Sequence, residues 1–66
     1  MSIAKTIELS AESPDSFEDA IREGIKKASE TVRGISGAYV KEQLCVVEND
    51  AVTMFRVHMQ VTFKVE

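Results

Sequence analysis

Val52-Thr53-Met54-Phe55-Arg56-Val57-His58-Met59-Gln60-Val61-Thr62-Phe63-Lys64-Val65 is the stretch that decides the fold. Phe55, Val57, Met59, Val61, Phe63 and Val65 point one way; Arg56, His58, Gln60, Thr62 and Lys64 point the other. Alternation of period two, with β-branched and aromatic residues on the apolar side, predicts a half-buried antiparallel strand. At roughly 3.3 Å per residue this strand reaches about 46 Å, where most strands run only about five or six residues. A chain of 66 residues cannot cover so long an apolar face by itself. The stretch therefore reads as part of a subunit.

Size and composition lead to the same place. A domain of about 60 residues buries only about 60% of its unfolded surface and is marginal unless a disulfide, a metal or a partner chain supports it. Cys45 is the only cysteine and His58 the only histidine, which excludes an internal disulfide, a cysteine-based zinc cluster and paired imidazole ligands. Oligomerisation is what remains. A net charge of -3 gives no basic footprint for nucleic acid, and no apolar run is long enough for a membrane span. Met1-Ser2-Ile3-Ala4-Lys5 lacks the apolar core of a secretory signal. The expected setting is the cytoplasm.

The remaining elements follow with short connections, as a single domain over residues 1–66. Ile3 to Leu9 alternates Ile3, Lys5, Ile7 and Leu9 against Ala4, Thr6 and Glu8, a first strand. Ser13 suits an N-cap and Pro14 the first helical position, while Asp15, Glu18 and Asp19 place negative charge at the positive end of the helix dipole. Phe17, Ala20, Ile21, Ile25, Ala28 and Val32 then form one apolar stripe, predicting a helix of about nineteen residues, roughly 28 Å long, closed by Gly34 in a left-handed conformation. Gly24 in mid-helix marks tight packing. A second strand is expected from Ala38 to Val47, with Val40, Leu44 and Val46 on one face and Tyr39, Lys41, Gln43 and Cys45 on the other. Glu48-Asn49-Asp50 makes the turn into the long strand. The fold class is α+β, order β-α-β-β: a three-stranded antiparallel sheet packed on one helix. Such a helix spans only part of the long strand, and an uncovered apolar edge calls for a closed, symmetric assembly.

With the opening strand, Ser13-Pro14, the stretch Ala20-Ile21 to Ala28-Ser29-Glu30-Thr31-Val32, Val40 in the second strand, and the ending Phe55-Arg56-Val57-His58-Met59-Gln60-Val61-Thr62-Phe63, the chain resembles the dodecins over nearly its whole length. The resemblance implies a homododecamer that holds flavin, riboflavin or FMN, in pockets between subunits. In flavin-binding dodecins a tryptophan early in the second strand stacks on the isoalloxazine ring and a glutamine in the last strand bonds its polar edge. Here the tryptophan position falls on Gly37 and the glutamine position on Arg56, and the chain contains no Trp. Stacking on a planar ring is worth roughly 1–3 kcal/mol by analogy with bases, so its loss weakens binding about tenfold to a hundredfold. Arg56 can stack and donate, but it cannot accept from the ring N–H as a glutamine carbonyl does.

Tyr39 lies two residues beyond Gly37 on the same strand face, about 6.6 Å along, and is the candidate substitute platform; the plain alternative is a subunit-contact tyrosine. Gly37 has a backbone reading too, as a bulge or a point of close approach. His58, between Arg56 and Gln60, reads as an interface or solvated residue, and Cys45 as a small packing residue. Gly34-Ile35-Ser36-Gly37 lacks the spacing and the strand-to-helix context of a nucleophile elbow. No catalytic residues are assigned and the chain does not read as an enzyme. The expected function is a storage shell that sequesters flavin weakly. The alternative is a shell that has lost flavin and serves as a scaffold or binds a metal ion such as calcium, as the resemblance implies for members without an aromatic residue at the tryptophan position. Glu8, Glu12, Asp15, Glu18, Asp19, Glu48 and Asp50 can offer oxygen ligands to such a hard cation, without EF-hand spacing.

Overall fold

The computed structural model describes residues 3–65, so Met1 and Ser2 of the N-terminal reading lie outside it. Strand β1 (Ala4–Ser13), helix α1 (Phe17–Ala28), strand β2 (Ile35–Glu48) and strand β3 (Ala51–Lys64) follow one another. The sheet order is β1-β3-β2, antiparallel throughout, so the long strand is central and bonded on both sides. Its alternation is the organising feature. Val57, Met59 and Val61 are fully buried together with Ala20 of the helix, and Ile7, Leu9, Ala11, Phe17, Ile21, Ile25, Ile35 and Val40 pack around them. Phe17 meets Phe55 edge-to-face with ring centroids 5.1 Å apart, fastening the start of the helix to β3.

The helix starts later than a Ser13 cap and Pro14 first position suggest, and ends sooner than its apolar stripe. Ser16, in extended conformation, is the N-cap and accepts the Asp19 N–H at 2.9 Å. Ser13 instead closes β1: it is buried, accepts the Asp15 N–H at 2.9 Å and donates to Asp19 Oδ2 at 2.6 Å. Ser13-Pro14-Asp15 is thus a side-chain-closed turn into the helix, a structure serine hydroxyls favour. At the other end Ser29 donates to the Lys26 carbonyl at 2.7 Å, and turn-type backbone bonds carry the chain on to Val32. Hydroxyl residues and β-branched Thr31 and Val32 end the regular helix at Ala28. Gly34 is left-handed (φ 78°), but as the link into β2 and not as the helix cap; its carbonyl accepts the Lys64 N–H at 3.0 Å.

Twelve helical residues cover roughly 18 Å of a molecule 51 Å long. The helix lies over β1 and β3, and the β1 pairing stops at Ser13 opposite Phe55. Beyond that point β2 and β3 continue as a two-stranded ribbon to the turn at Asn49 and Asp50, both of positive φ (53° and 63°) as a type I′ hairpin requires. Along this ribbon Leu44, Val47 and Val52 are 51%, 58% and 50% exposed. An isolated two-stranded ribbon is marginal in water. Among the described residues of one chain nothing covers it.

Three register shifts interrupt β2–β3, between Ile35 and Gly37, between Val40 and Glu42, and between Val46 and Val47. The second corrects the strand-face reading. Val40 faces Met59 on the helix side, but after the bulge at Lys41, Glu42 faces His58 and Leu44 faces Arg56. Leu44 therefore joins the face away from the helix, and Gln43 and Cys45 take the other. Cys45 is exposed and not a packing residue of this chain.

Candidate functional site

The face of the sheet away from the helix carries the chemistry. Strand pairing lays it out in rows: Thr6, Thr62 and Gly37; Glu8, Gln60 and Tyr39; Ser10, His58 and Glu42; Glu12, Arg56 and Leu44. Every β3 member is a polar residue of the alternation read above. The partners from β1 follow from its own period of two.

Gly37 and Tyr39 sit together at one end, as their spacing predicts. No bulge intervenes between them, Tyr39 is 67% exposed, and a Cβ built on Gly37 meets nothing within 4 Å. That open space rules out close backbone approach within the chain as the reason for glycine, while the neighbouring register shift at Ser36 agrees with the bulge reading. Arg56 is not beside them. It lies six positions down β3 from Thr62, the partner of Gly37, roughly 20 Å along the strand. There its Nε donates to Glu12 Oε2 at 2.6 Å. A pocket holding Gly37 and Arg56 together therefore draws them from two chains.

Between these ends lies a hydrogen-bonded cluster that sequence reasoning missed. His58 Nε2 is 3.0 Å from Glu8 Oε1, His58 Nδ1 is 3.1 Å from Ser10 Oγ, and Lys41 Nζ donates to Glu8 Oε2 at 3.2 Å. The His58 N–H, followed by the Lys41 ammonium, holds the Glu8 carboxyl below its ordinary range. An ionised carboxylate only accepts, so Nε2 donates to it; in the neutral imidazole Nδ1 is then the acceptor for the Ser10 hydroxyl. The signal was present in Glu8, Ser10 and Glu12 at alternate positions of β1, but their partners depend on a register between strands far apart in sequence.

Among the described residues, no three His, Cys, Asp or Glu side chains are grouped to hold a metal ion. Glu8, Glu12, Glu18 and Asp19 are each engaged by a neighbouring side chain. No described helix is long and apolar enough to cross a membrane.

Residues 3–66 match the Dodecin family model. The chain is 34% identical over 64 residues to the calcium dodecin of Mycobacterium tuberculosis (strain ATCC 25618 / H37Rv), covering 97% of this chain and 90% of that protein. The crystal structure of that calcium-chelating antigen, described with a novel calcium-binding site, superposes with a TM-score of 0.84 at 32% identity, over 98% of this chain and 93% of the other. A Thermus thermophilus protein gives a TM-score of 0.94 at 27% identity over 100% and 97% of the two chains. Dodecin from Streptomyces davaonensis gives 0.93 at 25% identity over 98% and 96%. With the β-α-β-β order, the central long strand and the short helix shared along essentially the whole chain, this protein belongs to the dodecin family.

Proposed function

We propose that the chain is the subunit of a homododecameric shell that binds a small planar ligand of the flavin type weakly, between copies, as a cytoplasmic storage protein and not an enzyme. The observation that carries this reading is the separation of Gly37 from Arg56 on one open face, since a pocket containing both exists only where two chains meet. Gly37 offers no ring to stack on, and Tyr39 is the one Phe, Tyr or Trp on that face among the described residues. Arg56 is already engaged by Glu12. These residues fit a flavin poorly compared with an indole and an amide, which is why the affinity is weak. Bound flavin would be sequestered, which limits its photochemistry. Titrating the assembled protein into riboflavin and into FMN, with fluorescence quenching as the readout, tests the reading. A colourless protein that quenches neither at high micromolar concentration would end it.

A second reading, calcium binding, is favoured by the name of the M. tuberculosis relative. Hard cations of this kind take about six to eight oxygen ligands. Asp15, Glu48 and Asp50 are the acidic residues of the sequence reading without a side-chain partner among the described residues. Glu48 precedes the exposed hairpin turn and Asp50 lies in it, so a cation there would draw carboxylates from more than one copy. Calorimetric titration of calcium into metal-free protein, with Asp50→Asn alongside, separates this reading from the flavin one.

A further inference from the structure

Ser10, His58 and Glu8 form a hydroxyl–imidazole–carboxylate chain on the helix-free face. Ser10 and His58 are direct cross-strand partners, and Glu8 is the diagonal neighbour on β1. The plain role of such a chain is to tie β1 to β3. Its protonation pattern goes further. Glu8 is kept ionised by Lys41 at 3.2 Å, so Nε2 donates to it, and in the neutral imidazole the Nδ1 lone pair faces the Ser10 hydroxyl at 3.1 Å. Nucleophile, base and orienting acid are thus in the order that activates a hydroxyl. Ser10 is exposed and borders a shallow depression of about 240 Å³ with Glu42, Leu44, Arg56 and His58.

We propose that Ser10 is an activated hydroxyl and a selective acylation site for small activated acyl donors, compounds whose acyl carbon carries a good leaving group. Ser10 Oγ attacks the acyl carbon while His58 Nδ1 takes its proton. The bond from carbon to the leaving group breaks, the leaving group departs as an anion, and the imidazolium returns its proton to solvent. Glu8 acts as a positioning residue that fixes the imidazole and stabilises its cation. Arg56 lines the depression and engages Glu12 through Nε, leaving its other N–H groups to face the developing oxyanion. β3 is hydrogen-bonded on both edges, so its backbone N–H groups at His58 supply no second donor. An activated donor expels a weakly basic anion, whereas hydrolysis of the ester must expel the Ser10 alkoxide, so the acyl ester forms faster than it hydrolyses and the outcome is modification of Ser10 rather than turnover.

The test is treatment of the whole protein with 4-nitrophenyl acetate, followed by peptide mapping of the acetylated positions. General-base assistance is worth about 10²–10⁴-fold in enclosed sites; for this open face the expected lead of Ser10 over the exposed Ser36 is at least about tenfold. In His58→Gln, checked for unchanged size in solution, Ser10 should fall to the level of Ser36. Equal labelling of Ser10 and Ser36 in the unaltered protein, or an undiminished lead in His58→Gln, overturns the proposal. The comparison within the unaltered protein needs no variant, so it decides the matter even where His58→Gln does not fold.

Discussion

Gly37 and Arg56 share the helix-free face of the sheet but stand at its two ends, Gly37 opposite Thr62 and Arg56 opposite Leu44 and Glu12. One chain therefore presents an open position at one end of that face and a charged side chain at the other. Under the proposed function ligand binding and assembly become a single property, because a pocket that holds both residues needs the edges of two copies. Gly37→Trp places an indole where a Cβ has no neighbour within 4 Å. It should raise flavin affinity by about tenfold to a hundredfold, the worth of roughly 1–3 kcal/mol of stacking. Adding Arg56→Gln restores an acceptor for the ring N–H and should increase affinity further. Fluorescence-quenching titrations of the unaltered protein and both variants read this out. Tight binding by the unaltered protein would instead assign stacking to Tyr39, and no gain in the double variant would mean that the pocket does not hold a ring.

Assembly is expected to rest on the ribbon beyond Phe55. Val47 is 58% exposed, so in an isolated chain an aspartate there meets water and costs little. Light scattering of the unaltered protein should give twelve times the 7.3 kDa chain mass. Val47→Asp should give smaller species or unfolded chains, the outcome expected of a subunit whose folding depends on its partners. A stable monomer or dimer of the unaltered protein at micromolar concentration would contradict the dodecamer. Full-size particles of Val47→Asp would place the contacts elsewhere.

How much of this was legible follows from which interactions are local. The alternation of β3 was read directly, and Val57, Met59 and Val61 are the buried centre it implied. The turn at Asn49-Asp50 was equally plain. The limits of α1 were not, because Ser13 and Ser16 both suit an N-cap; the choice between them was made by Asp19, which receives a hydrogen bond from the buried Ser13 while its N–H caps on Ser16. The bulge at Lys41, which turns Leu44 to the opposite face, leaves no mark on a period-two pattern. Of the candidate site, Gly37 and Tyr39 were correctly set on one face by their spacing of two. The Glu8–His58–Ser10 cluster depends on the β1–β3 register across an intervening helix and strand, which no local pattern encodes.

Acid should weaken the fold through Glu8. Its carboxyl lies below the ordinary value of 4.5, first through the hydrogen bond from His58 and next through Lys41. A carboxylate harder to protonate when folded adds stability above its unfolded value, and that stability is lost as pH falls through the lower folded value. The window therefore lies below 4.5. The side chain is 49% exposed, which screens the effect and keeps it small. Urea unfolding at fixed protein concentration should show Glu8→Gln less stable than the unaltered protein at pH 7, with the gap closing toward pH 3. A gap that widens in acid would mean that the His58 and Lys41 contacts do not stabilise the ionised form.

Gly24 should resist the substitution that helix propensity favours. Replacing a mid-helix glycine by alanine ordinarily gains about 1 kcal/mol. Here the added methyl would stand 2.9 Å from Met59 Cε, 3.0 Å from Ala11 Cβ and 3.4 Å from Leu9 Cδ1. The Met59 terminus can swing aside, but Ala11 is fixed to β1, and β1 is hydrogen-bonded to β3, so the helix itself must lift from the sheet. Overpacking of this kind costs about 1–3 kcal/mol, more than the propensity gain. Gly24→Ala should therefore lower stability by about 1 kcal/mol, seen as a lower urea midpoint at the same protein concentration. An increase in the midpoint would show that the helix-to-sheet contact yields by several tenths of an ångström without loss.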